Sequence, residues 1–290
     1  MSAYIRPVLA SGSVAAAALA VTVLAAPAMA SSHLTCGSVV TENTELTADL
    51  VCDGTTDALI VGADNIVIDL KGFTISGPGA YDATGSGIRI AGRQGVTVQK
   101  GTITGFRSAV VVDSGSGNTV TKIVATDSDQ AINIANGADT TVSKNTVSGS
   151  GRDGIRVGGS GASGTVVTQN VLSANTWSIS VSGADHVTVS RNTVTDSGTG
   201  ITVFDASVGA VVSQNTVSGN ARNGIETSST TSGSLISRNL SASNGGYGFA
   251  IDGSVLGDVT IVEKNTALGN AAGGFLLIGH TIDGGGNMSG

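Results

Sequence analysis

Residues 142–150 read VSKNTVSGS, and the phrase returns as VSRNTVTDS at 189–197 and VSQNTVSGN at 212–220. Aligned on its asparagine it becomes a ladder: Asn145, Asn170, Asn192, Asn215, Asn239 and Asn265, in steps of 25, 22, 23, 24 and 26 residues. Counting back by 22 reaches Ile123 and then Gly101, in the related contexts TVTKIVA and VTVQKGTI. A second ladder keeps step with the first, a small residue followed by an apolar-x-apolar triplet. It runs GIRI at 87, AVVV at 109, AINI at 131, GIRV at 154, SISV at 178, GITV at 200, GIET at 224, GFAI at 248 and GFLL at 274. Self-similarity at such a period marks a solenoid.

Alternation of apolar and polar residues over three or four positions specifies strands too brief to be helices. Each repeat holds two or three of them, separated by Gly, Ser, Asn and Asp, with no room for a crossover helix. Each strand must therefore stack on its equivalent in the next repeat, giving parallel sheets with coils about 4.8 Å apart. Crossover chirality makes the winding right-handed. The expected fold is an all-β, single-stranded right-handed parallel β-helix with coils of 22–26 residues, and the eight coils anchored at 101–265 would span about 40 Å. Within the repeated phrase Val142 and Val147 point inward, while Lys144 and Asn145 form a corner. Asparagine tolerates left-handed backbone and bonds neighbouring backbone groups. Stacked one per coil, its amides can also bond each other along the axis. A partial second ladder, Asn175, Asn220, Asn244 and Asn270, lies five residues further on.

The first thirty residues stand apart. Arg6, an apolar stretch from Val14 to Ala26, and Ala28-Met29-Ala30 compose a secretory signal peptide with cleavage expected before Ser31. The apolar stretch is too short to span a bilayer, and no later segment is long enough. The expected organisation is a signal peptide at 1–30, an N-terminal cap at 31–56 and the β-helix at 57–290, in a secreted, extracellular protein. The mature chain keeps all 21 acidic residues and 13 of the 14 basic ones, a net charge of about −8, which argues against nucleic acid and anionic membrane faces as partners. Two cysteines, Cys36 and Cys52, remain. In an exported protein such a pair most simply forms a disulfide, and metal ligation is the alternative reading, though no His or third Cys lies nearby.

The repeat resembles the right-handed parallel β-helix proteins of the pectin-lyase-like superfamily, close to the NosD-like secreted group. Besides the asparagine corners, the resemblance rests on CGSVVTENTELTADLVC (36–52) and GADNIVIDLKGFTISG (62–77), similar to the first coil and cap of actinobacterial members. It implies a secreted β-helix of a kind that often handles polysaccharide. The signatures of the enzymatic members are mostly missing. Polygalacturonases pair aspartates with Gly-His-Gly and Arg-Ile-Lys, of which IGHTID (278–283) and GIRI are superficial echoes. The Asp-His and calcium-binding acids of pectate lyases are absent, and VFDAS (203–207) is not the Asp-Pro-His stretch of mannuronan epimerases. The NosD role in copper-enzyme maturation fits poorly, because Met288 is the only mature thioether and His33, His186 and His280 are far apart. No metal site or cofactor is expected.

Indexing the coils places side chains in columns. The residue before the corner asparagine is Lys100, Lys122, Lys144, Gln169, Arg191, Gln214, Arg238 and Lys264 in turn. That stripe reads either as a rail for a polyanion, with Lys122 and Lys144 as binding candidates, or as long side chains lying over a corner with their charges in water. Before and along the second-ladder strands, one column reads Arg107, Asp129, Arg152, the next Gln130, Asp153, Trp177, and a third Arg89, Val111, Asn133, Arg156, Ser180, Thr202, Glu226. They gather Asp129, Asn133, Arg152, Asp153, Arg156 and Trp177 on one face. Arginine binds carboxylates, tryptophan stacks on a sugar face, and a carboxylate serves as acid or base. Asn133, Arg152, Arg156 and Trp177 are accordingly ligand-binding candidates, and Asp129, Asp153 and Arg156 the catalytic ones. The structural alternative is an Arg-Asp-Arg ion ladder with Trp177 covering a coil edge. The expected partner is an extracellular polysaccharide that the protein binds or modifies. A non-catalytic adhesive rod and a diverged lyase, epimerase or glycoside hydrolase are the other readings. Self-association through the C-terminal coil is a further expectation, since a parallel edge invites pairing.

Overall fold

The computed structural model describes residues 34–290, so the expected signal peptide, its cleavage site and His33 lie outside the described residues. The described chain is an all-β right-handed parallel β-solenoid of about eleven coils. One sheet takes a strand from every coil, eleven in all, from Ser38–Val40 to Gly273–Gly279. The other wall of each regular coil carries two short strands that meet at a corner, such as Thr141–Ser143 and Thr146–Ser148, before the chain rejoins the first sheet at Asp153–Gly158. Every such strand pairs in parallel with its equivalents one coil away.

Packing follows from that register. Ile88, Val110, Ile132, Ile155, Ile179 and Ile201 are successive partners along the eleven-stranded sheet, and all six are fully buried. β-Branched side chains stack well on a pleated surface, and each such burial contributes about 2 kcal/mol. The apolar-x-apolar triplets therefore fill the interior, and the residue between them faces outward.

The corner is built differently from its first reading. The left-handed residue is not the asparagine but the one before it, with φ of 57° at Lys100, 56° at Lys122, 59° at Lys144 and 55° at Lys264. The asparagine turns inward instead and is buried. Asn192 shows why. Its Nδ2 donates to Val167 O and to Asn215 Oδ1, both at 3.0 Å, while its Oδ1 accepts from the backbone N of Asn170 at 2.9 Å and from Asn170 Nδ2 at 3.0 Å. A long, solvated side chain can occupy the strained outer position, but the inner one must satisfy backbone groups of two coils at once. The same bonds join all six asparagines, and Asn287 extends the ladder by one coil. In the second ladder Ser197 fills the gap between Asn175 and Asn220.

The segment expected as a cap contributes strands Ser38–Val40, Thr44–Glu45 and Leu50–Val51, each paired with the coil that follows. Cys36 and Cys52 are joined by a disulfide. On the next coils the buried Asp69 accepts from the Lys71 amide at 2.9 Å, Gln99 Nε2 at 3.0 Å and Lys100 Nζ at 2.6 Å. Burial alone would raise its pKa. The Lys100 hydrogen bond, the Lys71 amide and the two ammonium charges outweigh burial and hold it below the ordinary aspartate value.

Candidate functional site

A groove of about 440 Å³ lies on the outer face of the eleven-stranded sheet, over strands Asp153–Gly158, Trp177–Ser182 and Thr199–Phe204. Registers on this face follow the indexed columns. Gln130, Asp153 and Trp177 are direct neighbours, as are Asn133, Arg156, Ser180, Thr202 and Glu226. Arg152, Asp153, Arg156 and Trp177 all line the groove.

Asp153 forms its floor. One carboxylate oxygen accepts from Ser180 Oγ, the other from Gln130 Nε2 at 2.9 Å, and Arg152 Nε lies 3.8 Å away. A buried carboxylate needs such donors. Gln130 in turn accepts from Asn133 Nδ2 at 3.2 Å, leaving Asn133 Oδ1 buried without a donor. Arg152 Nη2 pairs with Asp129 at 2.9 Å. The expected Arg-Asp-Arg ion ladder is therefore half formed, because Arg107 makes no ion pair among the described residues.

Arg156 is the unsatisfied charge. Among the described residues its guanidinium has no ion-pair or hydrogen-bond partner, although it sits in a groove with two carboxylates. It lies flat over Gly158: a Cβ there would come within 2.4 Å of Nη1 and 2.6 Å of Cζ. Two residues of the far wall were missed in the sequence. Phe204 faces Ser182 across the sheet, and Asp205 accepts from Ser182 Oγ at 2.7 Å. The column two residues beyond Arg156, reading Ala135, Gly158, Ser182, Phe204, would have found the first of them, and Asp205 lies one residue past it.

Lys122 and Lys144 lie elsewhere, at the corners of the opposite wall. Within their stripe, Lys100 is paired with Asp69, Lys264 with Glu263, and Arg191 Nε donates to Gln214 at 3.0 Å. The structure thus separates the two lysines from the aromatic groove.

This combination of stacked parallel coils and an open groove on one sheet defines a right-handed parallel β-solenoid protein. The model of the right handed beta helix region matches residues 57–210 and 130–283, and the chain belongs to that family. No curated protein matches it. Among solved structures, the A-module of Azotobacter vinelandii mannuronan C-5 epimerase AlgE4 is 13% identical with a TM-score of 0.60, over 88% of this chain and 87% of that one. A tailspike protein of E. coli bacteriophage HK620, in complex with a pentasaccharide, is 13% identical with a TM-score of 0.63, over 87% and 55%. DFA-IIIase from Arthrobacter chlorophenolicus A6 is 14% identical with a TM-score of 0.57, over 83% and 64%. The chain therefore spans less than two thirds of the length of the last two, and at such identities the likeness is one of fold.

Proposed function

We propose that this is a secreted β-helix that binds an extracellular polysaccharide in the groove over Arg156. The carrying observation is the unpaired Arg156 guanidinium, held flat on the groove floor with Trp177 and Phe204 also lining the groove. Aromatic faces suit the apolar face of a sugar ring, and the guanidinium suits its hydroxyl or carboxylate groups. Secretion is supported by the leader-like sequence of residues 1–30 and by the disulfide. The similar solved structures named as an epimerase and as a pentasaccharide complex lend this reading general support.

Binding is the function the groove supports best, since both oxygens of Asp153 are already engaged by donors. Bond breakage or epimerisation would draw on Asp205, whose second oxygen carries no hydrogen bond among the described residues. Incubating the mature protein with neutral and uronate-rich polysaccharides, alginate among them, tests the proposal by polymer depletion and by new reducing or unsaturated ends. Depletion lost in Arg156→Ala is the expected result. New ends, also lost in that variant, would make the groove an active site. Neither effect across the panel would leave a structural rod as the account.

A further inference from the structure

The links that carry the chain from the corner wall back to the eleven-stranded sheet are short, residues 105–107, 127–129, 149–152 and 174–176 in four successive coils. The link at 77–85 is far longer. It is not loose. Gly79 N donates to Gly105 O at 3.0 Å, and the amides of Thr84 and Gly85 both donate to Gly54 O. Ala80 and Ala83 are buried on either side of its tip, while Tyr81 between them is 85% exposed. An anchored loop that spends two buried alanines to hold one tyrosine ring in water is a presented aromatic surface.

That ring is aimed along the axis. Its hydroxyl lies beside Gly151, where a Cβ would meet it at 2.6 Å. Gly151 does not adopt the left-handed backbone, so the close approach rather than the local conformation is what the glycine serves there. Tyr81, Ala80, Ala83, Thr84, Arg107 and Asp129 line an open surface depression of about 350 Å³. The Asp129–Arg152 pair separates it from the main groove, Asp129 lining one side and Arg152 the other.

We infer that Tyr81 is the platform of an additional sugar subsite, taking a further residue of the chain bound over Arg156, with Arg107 and Asp129 as its polar contacts. The inference rests on the carbohydrate reading of the groove and adds to it a length preference: ligands long enough to cross the Asp129–Arg152 pair gain a contact that short ones cannot reach. A loop backbone anchored in advance loses little freedom on binding, which favours such a contact.

Trp177 is the only tryptophan of the chain, so its emission reports the groove directly. The test titrates alginate oligomers and neutral xylo-oligomers, each from the disaccharide upward, into wild type, Tyr81→Ala, Tyr81→Phe and Gly151→Ala. Tyr81→Ala should weaken the longer oligomers about five- to tenfold and leave the shortest unchanged, the size expected for one aromatic contact. Tyr81→Phe should retain wild-type affinity, and Gly151→Ala, which pushes the ring aside, should copy Tyr81→Ala. A wild type that binds while Tyr81→Ala matches it at every length overturns this inference alone. A wild type whose emission no oligomer moves overturns the groove reading and this inference with it.

Discussion

The Arg156 guanidinium occupies the space that a side chain on Gly158 would need, with Nη1 only 2.4 Å from the position of a Cβ there. The neighbouring positions of that column hold Ala135 and Ser182, so the strand itself accepts a side chain. Gly158 does not adopt left-handed backbone either. Its glycine therefore serves the arginine. Gly158→Ala should leave the thermal midpoint near wild type and weaken polysaccharide retention about tenfold, the loss of one charged contact. Affinity electrophoresis reads this, and unaltered retention with an unaltered fold would show that the flat arginine is incidental.

Asn192 lies in the middle of the amide ladder, and Asn192→Ala strands the Val167 carbonyl and the Asn170 amide that it serves. Leaving such buried groups unpaired should cost about 3 kcal/mol in denaturant unfolding. Asn287→Ala, at the far end of the same ladder, should cost less because its four side-chain bonds are only part-buried or exposed, so water can take over the groups left behind.

This ladder also shows what the sequence disclosed. The recurrence of Asn145 to Asn265 every 22 to 26 residues was enough to index the coils, because a solenoid forces residues of equal index into contact. Arg156, Ser180 and Thr202 could be placed side by side for the same reason. Backbone handedness could not be read this way, since Lys144 carries the left-handed bend that asparagine favours by propensity. Nor could Tyr81, which reaches Gly151 from an irregular link with no index in the repeat. Asp205 was legible only as a failed epimerase motif, whereas its bond to Ser182 gives it a place in the groove.

Acid stability should depend on Asp69. Its pKa is lower in the folded chain than the unfolded value of about 3.9, so its contribution is fully present above that value. The contribution is lost as the pH falls toward the folded value. Asp69→Asn should be less stable than wild type at neutral pH, with the difference shrinking below about pH 4 in urea-unfolding curves.

Opening the Cys36–Cys52 bond, which closes a sequence separation of 16, should cost about 3 kcal/mol in the chain-entropy model. In a solenoid each coil contacts only its neighbours, so the loss should be local. Hydrogen exchange under reducing conditions should speed up in strands Ser38–Val40 and Leu59–Val61 and stay unchanged at Trp177–Ser182.

The most direct test of the carbohydrate groove is the emission of Trp177 during titration with polysaccharide, compared between wild type and Arg156→Ala. A saturable shift in the wild type, weakened at least tenfold in the variant, is the predicted result. Polysaccharide retention that leaves Trp177 emission unmoved would place binding on another face and contradict the account.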